Sequence, residues 1–352
     1  MLENLHFTKF ILTVTARDSI SLPPYKGSTF RGGFGNAFKR IVCIGRNKEC
    51  ETCLLKSRCI YVYIFETPPP EDTVIMRKYR TAPHPFVIEP PMSPRFTERN
   101  GNPLADTKTI FEPGEKLSFS LILIGKAIDS LPYFIYTFEE LGNSGIGKGR
   151  GRYSLDGVYT GKDNSELIYS STDKKLKGSV KPETVVNDKI VDTPSFISSA
   201  GKVGTDLKVC PYRGHFSELC ISFLTPTRIV YDGHLTEKPE FHVLSRNLLR
   251  RIAHLSYFHC GGDPFGFDFT GVIDRAMKIS LKEENLQWYD WERYSARQDT
   301  RMKLGGFIGN ITFEGDLGEF IPYLRAGEFV HIGKGTSFGL GKYIMKDDQC
   351  SL

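Results

Sequence analysis

A chain of 352 residues, 40% of them hydrophobic, with a formal net charge of only +5, is long enough for two cores and not basic enough for its bulk charge to choose a partner. No apolar run reaches the ~18 residues of a membrane span. The start, Met1 to His6, lacks the basic flank and small-residue cleavage site of a secretory signal, so a soluble cytoplasmic protein with no membrane partner is expected, and clusters of Lys and Arg must carry any argument for an acidic partner.

In chain order, Phe7 to Ala16 is rich in β-branched residues and alternates in part, which predicts a strand. Residues 27 to 42 predict a helix capped by Ser28 or Thr29, with Phe30, Phe34, Phe38 and Ile41 on one stripe and Arg31, Lys39 and Arg40 on other faces. Gly32, Gly33 and Gly35 cost this helix roughly 1 kcal/mol each. Their presence predicts something packed closely on its backbone.

Four of the eight cysteines follow at once: Cys43, Cys50, Cys53 and Cys59. Thiolates at this density suit a structural zinc or an iron–sulfur cluster, with Cys50 and Cys53 chelating from one turn. The spacing lacks the two close pairs of a zinc-finger frame, so a partly formed site and isolated thiols stand as alternatives. Disulfides are disfavoured because nothing marks the chain as secreted. Cys210, Cys220, Cys260 and Cys350 are dispersed.

After a proline-rich stretch from Thr67 to Pro94 come a strand at 116–124 and a helix at 131–141. That helix has Pro132 near its start and Gly142 just beyond its end. It leads into Gly145-Ile146-Gly147-Lys148-Gly149-Arg150-Gly151-Arg152-Tyr153, a basic glycine-rich loop. Near the C-terminus the order recurs. Glu319 to Leu324 carries another Pro-Tyr pair, and Ile332-Gly333-Lys334-Gly335 opens a loop that runs through Gly339, Gly341 and Lys342 to Tyr343. The shared order of helix, loop and strand indicates two related units. Glycine lets amides approach an anion closely, and no helix follows the second loop, so neither a P-loop nor a dinucleotide fingerprint is satisfied.

Residues 161–204 are polar and read as a linker between a first domain at 1–160 and a second at 205–352. In the second, a strand is expected at 219–226 and a helix at 241–257, with Leu244, Leu248, Ile252 and Leu255 inward and Arg246, Arg250 and His254 on another stripe. Further strands fall around 302–313, and Trp288 to Gln298 interleaves rings with Arg293 and Arg297. Rings stack on bases and arginines clamp phosphates, so these features with the glycine loops favour a nucleic-acid-binding protein over a small-molecule enzyme. The economical fold is α+β: two tandem ferredoxin-like (RRM-like, βαββαβ) domains, with the cysteine segment 43–59 inserted in the first.

The terminal Gly333-Lys334-Gly335-Thr336-Ser337-Phe338-Gly339-Leu340-Gly341 resembles the G-x-G-x-x-x-G-x-G loop of the RAMP superfamily. The chain looks most like the CRISPR-associated endoribonuclease that cuts precursor repeat RNA. Gly27 to Gly32, the cysteine segment, the Arg293–Gln298 stretch and Gly305 to Gly309 resemble its longer relatives, so the likeness covers most of the chain. It implies metal-independent cleavage of CRISPR repeat RNA to a 2′,3′-cyclic phosphate, no cofactor for catalysis, and a CRISPR effector complex as a further partner. The RNA contacts expected from the basic residues and glycine loops are Arg31, Arg40, Lys148, Arg150, Arg152, Arg246, Arg250, Arg293, Arg297, Lys342 and glycines 333, 335, 339 and 341.

Cleavage by the RNA's own 2′-hydroxyl requires a base, an acid and cations. The family often places a catalytic histidine near its first helix, whereas this sequence has none between His6 and His84. The candidates are then His331 with Lys334 beside the C-terminal loop, and Tyr25, Lys26 and Lys39 about the first helix. Two alternatives stay open: a RAMP subunit that binds guide RNA without cutting it, and a metal-cluster RNA-modifying enzyme, for which no cofactor motif is visible.

Overall fold

The computed structural model describes residues 1–45, 49–91, 109–161, 166–177, 180, 182–186, 189–192, 217–263, 265–290, 292–295 and 300–346. The first half holds β1 (Phe7–Ala16), β2 (Ile20–Ser21), α1 (Gly27–Val42), β3 (Phe86–Glu89), β4 (Ile110–Phe111), β5 (Lys116–Ile124), α2 (Leu131–Ser144) and β6 (Tyr153–Thr160). β1 pairs antiparallel with both β5 and β6, and β3 pairs with β5. The resulting order β6-β1-β5-β3 is that of a ferredoxin-like βαββαβ unit, with β2 and β4 a separate pair.

The polar span read as a linker is folded where described. β7 (Glu166–Ser170) and β8 (Lys175–Leu176) continue the sheet outward from β6, and β9 (Glu183–Val186) with β10 (Lys189–Asp192) attaches at Phe7 of β1. Backbone pairing on an existing sheet edge needs few apolar side chains, which is why the composition misled.

The second half runs β11 (Glu218–Thr227), β12 (Ile229–Tyr231), β13 (His234–Thr236), α3 (Phe241–Cys260), α4 (Phe269–Ala276), β14 (Ser280–Tyr289), β15 (Glu292–Ser295), β16 (Thr300–Lys303), β17 (Gly306–Glu314), α5 (Ile321–Val330) and β18 (Tyr343–Lys346). Its sheet, β14-β17-β11-β18, repeats the ferredoxin-like order, with β12–β13 and β15–β16 as separate hairpins.

The internal repeat extends to single atoms. Tyr153 at the start of β6 donates its hydroxyl to the Phe138 carbonyl in α2 at 2.9 Å, and Tyr343 at the start of β18 donates to the Leu324 carbonyl in α5 at 2.7 Å. In each half a glycine of the helix makes room for that ring. A Cβ on Gly142 would stand 2.8 Å from the Tyr153 ring, and one on Gly327 2.0 Å from the Tyr343 hydroxyl oxygen.

Alternation along β1 divides its side chains between two cores. Phe10, Leu12 and Val14 pack with Phe30, Phe34 and Phe38 of α1 and Phe134 and Phe138 of α2. Phe7, with Val87 of β3 and Ile122 and Ile124 of β5, instead joins the core of the second half beside Leu248 and Ile252 of α3. Phe7 stacks on Phe329 of α5, ring centroids 4.8 Å apart. Among the described residues no helix is long and apolar enough to cross a membrane.

Candidate functional site

The N-terminal end of α1 meets the C-terminal glycine loop across the junction of the halves. Gly27 opens α1 without a side chain, and a Cβ there would lie 1.9 Å from the Phe338 carbonyl oxygen. The Tyr25 hydroxyl donates to that same oxygen at 2.7 Å. One turn on, Arg31 donates from Nε to Ser337 Oγ at 3.2 Å, with its guanidinium between the Phe65 and Phe338 rings at 4.1 and 4.5 Å. Aromatic faces on both sides hold a cation in place.

Burial acts on the ionisable groups here. It pushes the Tyr25 phenol well above its ordinary value, reinforced by the negative charge of Glu89. Lys26, with only 2% of its surface exposed, donates to the Pro24 carbonyl at 3.3 Å, and burial pulls its ammonium down to about 8. A lysine in that range exchanges protons near neutral pH.

The loop itself is a knot. Gly333, Gly335, Gly339 and Gly341 all have positive φ, between 72° and 83°, and a Cβ on Gly341 would stand 1.8 Å from the Ile332 carbonyl. The Gly333 amide donates to Asn247 Oδ1, that of Gly339 to the Thr336 carbonyl, and that of Gly341 to the Pro226 carbonyl. Those three amides are therefore engaged within the protein, a correction to the anion-nest expectation. Gly333, Gly339 and Gly341 serve close backbone packing, against the carbonyls of Arg228, Ile88 and Ile332.

His331, a candidate general acid or base by sequence, lies in the interior. It is wholly buried, with Nδ1 3.0 Å from the Leu340 carbonyl and Nε2 3.0 Å from Glu89 Oε1. Glu89 also accepts from Lys342 Nζ at 3.0 Å and Lys9 Nζ at 2.8 Å. Burial would raise the Glu89 carboxyl, yet the charge of Lys342, the hydrogen bond from His331 and the charge of Lys9 together hold it well below its usual range. Burial lowers the His331 imidazole against the attraction of Glu89. His331 and Lys342 thus tie the glycine loop and β18 to β3 of the first half, with His331 wholly interior and Lys342 half-buried.

Lys39 is a second correction. It sits twelve residues along α1 from Gly27, ~18 Å at 1.5 Å per residue, with its ammonium 5.4 Å from the Tyr61 ring centroid. It does not join Tyr25 and Lys26. The cysteines are a third. Cys43, Cys50, Cys53 and Cys59 are free and half-buried, and among the described residues no three His, Cys, Asp or Glu side chains are placed to hold a metal. Cys50 and Cys59 instead pack against the first core, and burial raises the Cys50 thiol.

The junction also contains a histidine that sequence spacing did not bring forward. His84 lies between Pro83 and Pro85, just before β3, with Nε2 3.3 Å from Arg31 Nη2 and Nδ1 2.8 Å from Thr67 Oγ1. It is 53 residues from Arg31 and reaches it only through the fold. Burial, then the charges of Arg31 and Arg251, pull its imidazole down to about 3.

Other expected RNA contacts surround this junction or lie apart from it. Lys334, Lys148 and Arg150 are exposed. Arg152 is exposed and bound through two nitrogens to Asp18, whose carboxyl the hydrogen bond holds at about 2. Arg40 donates to Ser144 Oγ at 3.2 Å. Arg246 and Arg250 line a cleft of about 360 Å³ between α3 and the β12–β13 hairpin, with Tyr231 and Asn247. Arg293 is in β15, and Arg297 lies outside the described residues.

Comparison with known proteins matches both halves. Residues 221–343 match the family described as CRISPR-associated endoribonuclease Cas6, and residues 5–183 match the N-terminal domain family AF_1859_N. An uncharacterized protein of Archaeoglobus fulgidus is 25% identical over 178 residues, covering 49% of this chain and 54% of that protein. The chain thus spans about half the length of that relative. A Thermus thermophilus Cas6 product complex superposes with a TM-score of 0.52 at 16% identity, covering 97% of this chain and 100% of that one. A partial Cas6-RT-Cas1–Cas2 complex superposes at 0.51 and 12% identity, covering 99% of this chain and 47% of that one. At these identities the likeness is one of fold, and the fold is the double ferredoxin-like arrangement described above.

Proposed function

Because this chain belongs to the family of the CRISPR-associated endoribonuclease Cas6, we propose that it cuts precursor CRISPR RNA within the repeat, by attack of a 2′-hydroxyl on the neighbouring phosphorus, without a metal ion, leaving a 2′,3′-cyclic phosphate. The observation that carries this reading is the joining of α1 to the glycine loop through Tyr25, Gly27 and Arg31. It gathers an arginine, a lysine with a lowered pKa and a histidine at one seam.

That chemistry has definite requirements. The attacking oxygen must lose a proton, the leaving 5′-oxygen must gain one, and the phosphorane's charge must meet cations. Arg31 supplies the charge and is oriented in advance by Ser337 and two rings. Lys26 retains an ammonium below about pH 8 and can release its proton there, which suits protonation of the leaving oxygen. Tyr25 donates to Phe338 and holds the loop rather than reacting. Lys334, Lys148 and Arg150 are free to meet the RNA backbone on either side. The partners of this reading are the repeat RNA and the CRISPR assembly that receives the product.

The deciding experiment incubates the purified chain with labelled repeat RNA in EDTA, beside the same RNA carrying a 2′-deoxy sugar at the cut site. Cutting at one position, abolished by the deoxy sugar and ending in a cyclic phosphate, is expected. Cutting that EDTA abolishes would remove the metal-free mechanism. A second reading, guide-RNA binding without cleavage, draws on the burial of His331 and the lack of histidine on α1. Tight binding without any cut would establish it instead.

A further inference from the structure

We propose that His84 is the general base of the cleavage step, with Thr67 setting its tautomer and Arg31 guarding its lone pair until RNA binds. This rests on the cleavage reading above.

The protonation state follows from the partners. Arg31 can only donate, so His84 Nε2, 3.3 Å from Arg31 Nη2, must present a lone pair. The ring proton is then on Nδ1 and is donated to Thr67 Oγ1 at 2.8 Å. Thr67 in turn donates its own hydroxyl hydrogen bond to the Ile64 carbonyl at 3.2 Å, which orders the donors in one direction. The imidazole is thus a free base, oriented by a third group, with its reactive nitrogen turned toward the arginine that reaches Ser337 of the glycine loop.

Its backbone is equally fixed. Pro83 and Pro85 restrict the flanking backbone to extended conformations. Thr67 stands at φ 46°, its carbonyl accepting from the Ala82 amide at 2.8 Å, so the turn that carries the orienting hydroxyl is pinned to the segment that carries the base. The Phe65 and Phe86 rings, 6.2 Å from each other, both pack near-parallel to the imidazole, with centroids 6.4 and 5.8 Å from it. The groups that act on its charge are Arg31 from α1 and Arg251 and His259 from α3.

A bound phosphodiester attracts the Arg31 guanidinium, which frees the Nε2 lone pair. Nε2 then takes the 2′-hydroxyl proton as O2′ bonds to phosphorus and the P–O5′ bond breaks. The leaving O5′ takes a proton from the Lys26 ammonium, and both side chains re-equilibrate with water. Neutralising Arg31 also raises the basicity of the imidazole at the moment it is used.

The test is single-turnover cleavage of labelled repeat RNA by the full chain and by His84→Asn, whose amide keeps the donor to Thr67 and leaves the Nε2 position empty. A loss of about 10²- to 10⁴-fold in rate is expected, with RNA affinity and thermal midpoint unchanged. Added imidazole should restore rate to His84→Ala. Cleavage by His84→Asn within about threefold of the parent, parallel loss of affinity or stability, or no imidazole rescue would each overturn the assignment. A parent chain that binds RNA without cutting it would overturn the cleavage reading, and this assignment with it.

Discussion

The hydroxyl of Tyr25 donates to the carbonyl oxygen of Phe338 at 2.7 Å, joining residues 313 positions apart and seating the glycine loop on the first helix. Tyr25→Phe removes that bond and keeps the ring. A loss of about 1 kcal/mol is expected by urea denaturation with an unchanged m-value, together with a fall in single-turnover cleavage on the order of tenfold as the loop loses its register.

Two glycines of α1 should respond oppositely to alanine. At Gly27 the new methyl would stand 1.9 Å from backbone and must push the loop away, so cleavage should fall on the order of 10²-fold. At Gly32 nothing lies within 4 Å, and alanine should stabilise the helix by about 0.5–1 kcal/mol with cleavage unchanged. Thermal melts and cleavage rates of the two variants check the pair.

Glu89 collects Lys9, Lys342 and His331 in the interior. Glu89→Gln leaves these groups facing a neutral amide and should cost about 3–5 kcal/mol. Because the native carboxyl lies well below 4.5, its stabilisation is complete above the unfolded-state value and is lost as pH falls through the native one. The parent should therefore lose stability on acidification below about pH 4.5, and the variant should show a flatter profile over that range.

Lys26 gives a slope of the same sign at higher pH, because burial there disfavours the charged form of the native state. Its native value of about 8 lies below the ordinary 10.5, so between those pH values the unfolded chain binds more protons and stability rises with pH. Lys26→Met should flatten that rise and be more stable at pH 7. Cleavage by the parent should decline above about pH 8 as the ammonium is lost. Denaturation and rate profiles from pH 6 to 10.5 measure both effects.

Lys334 and Lys148 stand exposed on the two glycine loops. Replacing either by alanine should lower the slope of log affinity against log salt by about 0.7–0.9, the release of one counterion. Filter binding across a salt series reads this directly, and thermal midpoints should not move.

The elements whose burial is periodic were legible in the sequence. β1, α1 and β5 fall at the expected residues because Phe30, Phe34 and Phe38 make one stripe and the strands alternate. The repeat was legible as well, since Pro132 and Pro322 open equivalent helices and Tyr153 and Tyr343 begin equivalent strands. The site was legible only in part. Tyr25 and Arg31 lie near the expected helix end, but the glycine spacing could not reveal that the loop's amides bond to Asn247, Thr336 and Pro226. His84 was invisible because two prolines and a left-handed Thr67, rather than a periodic element, deliver it to Arg31. Cysteine density suggested a ligand set, whereas Cys50 and Cys59 are placed by contact with the first core.

The division of β1 and β5 between two cores has a consequence for how such a chain can change. Phe7, Val87, Ile122 and Ile124 make the first half part of the second half's interior, so neither copy of the duplicated unit is a module that could be exchanged for a homologous one. A graft would have to replace both faces of the shared strands at once. Change without loss of the fold is then confined to loops and exposed side chains, while the seam that holds Arg31 against Ser337 is inherited whole.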